Sequence, residues 1–493
     1  MPAAALPKRT RSGVPGVMRF AITLAIPLIG AATVAGTYLG KEIILCAGWV
    51  ALGLVGFLFL HPIAGVTVMT SGFLLAAYPT LFTSMGALTI NNLLGVGFVL
   101  ILALHVLETR DFSFLKVPQF RILVLIGILF AISSAHAQVK FPLLATSRGK
   151  TLILDRTADM SHDFMARAVF LIFFCAFVRS GRDVRLMFMV YFLALFLAVP
   201  SALINWAQGN LSHGFRAAAS VTSGANPNRL AMICLMEVAC WWFWSISRPG
   251  WVRRVIAYGA MGGSFLVILA TGSRSGLLGI FVMAGALQTS PKRFRVPLSQ
   301  VAIAGVLATV AILTVVPWDS VVRMVNFVGQ PHTGAASSNK LRADTIWTAL
   351  HMMRDNPVFG VGLGNFREVS RQIYRDPFFR PPHNSPLWAG CEGGAFVLLA
   401  YGFLFLKTWL DLMVVRRLAY RDQDLVFIAA ALRVVFVVYC FFCLFADLFL
   451  NPITYILIGE IFCLRRYVEG LPDPVVAAQP QPSRWPAARL AAA

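Results

Sequence analysis

Three side chains have the type and the setting to do chemistry. Arg216 sits in GFRAAASVTSGANPNRLA, just before a helix opened by Asn226-Pro227-Asn228. Arg274 sits in ATGSRSGLLG, among small residues that leave room beside its guanidinium. His383 sits in PFFRPPHNSPLWAGCEGG, where Pro377, Pro381, Pro382 and Pro386 stiffen the approach to the next helix. Arginine stays protonated, and its planar fork of donors suits phosphate oxygens. A neutral imidazole can accept a proton near neutral pH. Asn384 and Glu392, which follow His383, are accessory candidates. Arg367, Arg371 and Arg375 are three more, recurring every four residues. That spacing predicts a helix from Phe366 to Arg375 with Phe366, Val369 and Ile373 on its other face. Such a helix would lie along a membrane surface, its arginines reaching lipid phosphates or a bound substrate.

The elements that position these residues follow from composition. Of 493 residues, 58% are apolar and only 13% are charged, and the mean hydropathy is +0.75. A soluble domain carries about a quarter charged residues. The apolar residues come in blocks of about 18–22, the length that crosses a hydrocarbon core of ~30 Å. The fold class expected is all-α integral membrane, with about 12–14 transmembrane helices and one helical extracytoplasmic segment between late spans. The spans fall at roughly 20–39, 43–60, 63–78, 88–107, 119–136, 164–178, 185–205, 229–247, 254–271, 275–289, 298–317, 387–407, 425–446 and 452–464.

The net charge of +21 fits a membrane protein better than a nucleic-acid binder, because cytoplasmic loops accumulate Lys and Arg. With the N-terminus inside, every strongly basic short loop falls on one side: Arg179 to Arg185, Arg248 to Arg254, Lys292 to Arg295, and Arg416 to Arg421. The expected organisation is a cytoplasmic N-terminus at 1–19, a bundle at 20–317, an extracytoplasmic segment at 318–386, further spans at 387–466 and a disordered cytoplasmic tail at 467–493. Within 318–386, Asn339 is expected to cap a helix ending at Asn356-Pro357. Residues 137–163, 206–228 and 272–274 also face out. Lys and Arg recur on this outer side although topology does not require them there, and an anionic ligand accounts for them.

Several motifs carry little. GVGLGNF lacks the last glycine of a dinucleotide-binding loop and follows no strand. GSRSG has Arg where a nucleophile elbow has Ser. Asp422 and Asp424 form a D-x-D in a short basic loop and read as a solvated charge pair. Cys440 and Cys443 form a C-x-x-C in apolar surroundings with no second pair, so no metal site and no cofactor are expected. Glu237 and Arg433 both sit inside spans, which lets them pair. A secondary transporter would share the helix number and the basic outer face. It would also show internal repeats, and none is found.

The runs NPNRLA, TGSRSG, NPVFGVGLGNF and PPHNSPLWAGCEGG, in that order, resemble the O-antigen ligase and polymerase family. The resemblance covers roughly residues 200–410; the earlier helices match only in hydropathy. It implies an integral glycosyltransferase of the bacterial inner membrane with its site facing the periplasm. The donor would be a polyprenyl-diphosphate-linked glycan, such as an undecaprenyl diphosphate one. The acceptor would be a sugar hydroxyl, on lipid A–core for a lipopolysaccharide ligase or on another repeat unit for a polymerase. It gives the donor diphosphate to Arg216 and Arg274 and proton abstraction to His383, in a metal-independent, inverting reaction. The family also favours Gly-x-x-Gly after its His-Asn pair. Here Gly394 is present, but Val397 takes the second glycine position.

Overall fold

The computed structural model describes residues 61–75, 90–141, 152–212, 216–219, 226–316, 318–325, 334–376 and 381–471. In chain order its α-helices are α1 (Pro62–Leu75), α2 (Ile90–Thr109), α3 (Pro118–Lys140), α4 (Leu152–Phe177), α5 (Gly181–Phe196) and α6 (Ala198–Ala207). There follow α7 (Pro227–Ser247), α8 (Trp251–Ala270), α9 (Arg274–Gln288), α10 (Leu298–Thr314), α11 (Trp318–Val325) and α12 (Gly334–Asp355). Last come α13 (Phe366–Gln372), α14 (Ser385–Leu418), α15 (Gln423–Cys443) and α16 (Pro452–Gly470). Seven spans among the described residues are long and apolar enough to cross a membrane. The chain is an all-α integral membrane protein. The expected spans at 20–39 and 43–60 lie outside the described residues.

The centre of the bundle is α7, buried on nearly every face between α8, α15, α9 and α5. A second layer joins α14 to α3, α16 and α12. Aromatic side chains fill the middle. Phe449 touches the rings of Phe130, Phe164, Trp388 and Tyr401, geometry that adds to plain area burial.

The helix starts at one end of the bundle share a signature. Asn226, Asn384 and Asn451 each cap a helix, each accepting a backbone N–H with its side-chain oxygen, and each is followed by Pro in the first turn. Ser273 caps α9 in the same way. Asn and Ser satisfy donors that the first turn leaves free, and Pro lacks the N–H that would go unpaired. Four helix N-termini are each fixed by such a cap.

Four expectations change in detail. The helix expected from Asn339 begins at Gly334. The helix expected over Phe366–Arg375 ends at Gln372, because Arg375 adopts φ 53°, a left-handed conformation that a helix cannot contain. The single span at 185–205 is two helices, α5 and α6, that meet at Leu197. Part of the outer loop at 137–163 is helical, since α3 runs to Lys140 and α4 starts at Leu152. In addition, α16 passes the expected start of the tail and reaches Gly470.

Glu237 and Arg433 do not form an ion pair. Arg433 gives its Nη2 to the Ala286 carbonyl at 2.6 Å and to the hydroxyls of Thr289 and Ser290 at 3.1 and 2.9 Å. Those groups lie at the end of α9, against which α15 packs.

Candidate active site

The loop around Arg216 folds back on the top of the α8–α9 hairpin. Its backbone pairs with Ser212 in an isolated bridge, and Ala217 donates its N–H to the Ala270 carbonyl at 3.0 Å. The Arg216 side chain is buried. Nε donates to the Thr271 carbonyl at 2.7 Å and Nη2 to Asn228 Oδ1 at 3.2 Å. Asn228 Oδ1 also accepts from the Ser273 hydroxyl at 2.8 Å. The capping turns of α7 and α9 are therefore tied together beneath one guanidinium.

Arg274 is the first residue of α9, directly after Gly272 and Ser273. Gly272 has φ 56°, a conformation that favours glycine. A Cβ there would also sit 3.2 Å from the Ser320 backbone. That close approach seats α11 over the hairpin, where Val321 and Met324 pack against Leu269. Arg323 is one helical turn beyond Ser320 and so shares its face. Arg342, on α12, completes the group: the charges of Arg323, Arg342 and Arg274 all act on Arg216. Burial first, then these three charges, pull the Arg216 guanidinium down to about 9, so it still carries its proton at neutral pH. Arg323 and Arg342 are lowered in the same direction, by burial and then by neighbouring arginines of the group. Among the described residues, none of the ion pairs includes any of these four arginines.

His383 lies in the loop leading to α14. Its φ of 48° is uncommon for a residue with a side chain, and such strain gathers at functional positions. Two neighbours hold it there. Asn384 caps α14 and gives its amide to the Leu444 carbonyl at 3.2 Å; Ser385 gives its hydroxyl to the Ala446 carbonyl and accepts from the Leu448 N–H, both at 2.8 Å. The loop is thus stitched to residues 444–448, which place Asp447 beside the imidazole, with His383 Nδ1 3.5 Å from Asp447 Oδ1. Arg229 Nη2 lies 3.1 Å from the same oxygen and also donates to the Asp447 carbonyl at 3.1 Å. Burial opposes ionisation of Asp447, but the contact with His383 and the charge of Arg229 prevail and hold its carboxyl at about 2. An ionised carboxylate on Nδ1 fixes the tautomer that leaves Nε2 free to accept a proton.

The accessory candidates are placed elsewhere. Both Glu392 oxygens accept backbone N–H groups, from Gly364 at 2.9 Å and from Phe366 at 3.1 Å. Glu392 therefore clamps the GVGLGNF loop into a break in α14, where Gly394 has φ 71° and a Cβ would lie 2.1 Å from the Val358 carbonyl oxygen. The loop closes the break with Val361 N–H to Cys391 and Ala395 N–H to Pro357, at 2.9 and 2.8 Å. The carboxylate that touches His383 is Asp447. Phe366 and Val369 are buried against the protein, so α13 does not turn its apolar face to lipid as expected. With Arg375 outside that helix, Arg367, Arg371 and Arg375 do not form one continuous stripe. Asn384 acts as a cap and a tie. Pro377 lies outside the described residues.

Sequence reading missed Asp447, Arg229, Arg323 and Arg342. Asp447 stands in a short segment between two spans, where a carboxylate is costly unless something pairs with it, and that signal was available. Arg323 and Arg342 looked like any other surface charge.

Residues 259–402 match the model of a family described as O-antigen ligase. This stretch is similar to that family. It contains Arg274, Arg323, Arg342 and His383, whereas Arg216, Arg229 and Asp447 come from outside it. No curated protein matches the chain at a significant level. The match supports an O-antigen ligase-like enzyme of the glycosyltransferase kind in polysaccharide biosynthesis, with lipid-linked glycan and acceptor as its general substrates.

Proposed function

We propose that the protein transfers a glycan from a polyprenyl diphosphate to a sugar hydroxyl, in the manner of an O-antigen ligase, at the outer face of the bacterial inner membrane. The observation that carries this reading is the junction at the start of α7. Asn228 holds Arg216, one member of the arginine group, and the next residue, Arg229, holds Asp447 and through it His383. One helix terminus thus couples an anion-binding cluster to an oriented base.

The chemistry follows from that pairing. The arginines and the nearby N-termini of α7 and α9 receive the donor diphosphate. His383 Nε2 takes the proton of the acceptor hydroxyl as its oxygen bonds to the anomeric carbon. The bond from that carbon to the diphosphate oxygen breaks, and its electron pair leaves with the diphosphate. Four guanidinium groups around the leaving group do the electrostatic work that a divalent ion does in other transferases. Because the acceptor attacks directly, the anomeric centre inverts. Asp447 is a positioning residue, and Arg229 holds it in turn.

Lipid A–core is the favoured acceptor and makes the reaction a ligation; a second repeat unit would make it a polymerisation. A strain lacking the gene decides between them. Lipid-linked polymer beside bare core supports ligation, and single repeat units support polymerisation. Unchanged surface glycans would overturn the reading. The opposite end of the bundle, with its paired basic loops, is the cytoplasmic one in this account.

A further inference from the structure

We infer that the arginine group is matched to the departing lipid diphosphate rather than to the intact donor, so that the protein holds the free lipid diphosphate more tightly than the glycosylated one. This rests on the donor site proposed above and adds a direction to its selectivity.

Charge counting starts the argument. In the intact donor the diphosphate is esterified at both ends and each phosphorus keeps one ionised oxygen, giving two negative charges. When the glycosyl bond breaks, the terminal phosphate keeps the former bridging oxygen, now free of carbon, and its second ionisation lies near pH ~6, so the product approaches three negative charges. Four guanidinium charges act on one another here. Two would neutralise the donor, and the one further negative charge that the remaining two would meet appears only as the bond breaks.

Geometry points the same way. Arg216 is locked by Thr271 and Asn228 and is part of the floor of the site. Arg323 and Arg342 approach from α11 and α12, which belong to a different segment from the floor. Ser320 ties α11 to the hairpin, its hydroxyl 3.4 Å from the Ala270 carbonyl. Cys391 on α14 meets the Ala349 carbonyl of α12 at 3.2 Å, and Arg342 lies two turns earlier on that helix. Neither Arg323 nor Arg342 has a carboxylate partner among the described residues. Holding like charges together without compensation costs stability in the free protein, and an anion of higher charge relieves more of that cost.

The test uses full-length protein in detergent and three probes: a free prenyl diphosphate, the same prenyl diphosphate carrying one sugar, and the prenyl monophosphate. Binding of each is measured by calorimetry in wild type, Arg323→Gln and Arg342→Gln. The free diphosphate is expected to bind at least about tenfold more tightly than the glycosylated one, one charge-assisted contact's worth. Either substitution should bring that ratio close to one. Should a variant fail to fold, the wild type under rising salt supplies the second readout. Its ratio must shrink as ions screen the extra charge. Equal affinities, or tighter binding of the glycosylated probe, overturn the inference and leave the donor site standing. Binding of neither diphosphate removes the donor site itself.

Discussion

Arginine is common at both ends of this bundle, but the two ends use it differently. At the end carrying the short basic loops, Arg185 and Arg248 share Asp424, both at 3.2 Å, and Arg179 meets Asp111 at 2.7 Å. Arg465 and Lys407 both reach the buried Asp411, which also accepts from Gln119. Asp422 caps α15 there. The D-x-D read as a solvated pair is thus a cap and a tether for two basic loops. At the other end Arg216, Arg274, Arg323 and Arg342 converge with no acid paired to them among the described residues, and Arg229 is held against Asp447. Paired arginines shape the fold, while the convergent unpaired ones are the anion site of the proposed function.

The sharpest test of that contrast lies at the base. His383→Ala should lower turnover by about 10²–10⁴, the contribution of a positioned general base, while donor binding stays near wild type. Steady-state kinetics beside a direct donor-binding measurement separates the two. Next come the arginines. Arg274→Ala should lose on the order of 1.5–3 kcal/mol of transition-state stabilisation, and Lys should restore little where both donors of the fork are used. At the other end, Arg185→Ala should change turnover negligibly and stability by at most ~1 kcal/mol. Similar losses of turnover from both arginines would dissolve the comparison.

Asp447→Asn has a smaller and more specific signature. Without the carboxylate that orients the imidazole, kcat falls more than KM. A purely structural Asp447 would leave kcat and KM of the folded enzyme near wild type. The pH dependence of stability gives a companion result. The Asp447 carboxyl is held at about 2 against an ordinary 3.8. Its contribution is therefore present above about 3.8 and fades as pH falls towards 2. Acid unfolding of the wild type should show this loss, and Asp447→Asn should not. The smallest effect is at Arg323. Arg323→Gln should raise the stability of the ligand-free protein by about 0.5–2 kcal/mol while lowering activity, a trade between stability and function, read by thermal unfolding.

Much of this arrangement is local and legible in the sequence. Apolar block length specifies the spans, and Asn226-Pro227 marks the helix start beside Arg216. Arg216, Arg274 and His383 announce themselves because each is an expensive or rigidly framed residue near a span end. What the sequence hides is pairing across distance. Asp447 meets His383 only because Asn384 and Ser385 stitch two loops together. Glu392 looked like a spare acid beside His383, yet its oxygens serve a loop that precedes it by nearly thirty residues. Arg375 fits the four-residue stripe by number, and its backbone angle removes it from the helix. A period in sequence does not report φ.

The claim at the centre is that an oriented imidazole and a group of unpaired arginines transfer the glycan without a metal or an ion gradient. Purified protein, in detergent with excess chelator, should join a lipid-diphosphate-linked glycan to acceptor with inversion at the anomeric carbon, and His383→Ala at equal folded concentration should not. Transfer that required a divalent ion, or that His383→Ala carried out at the wild-type rate, would contradict the account.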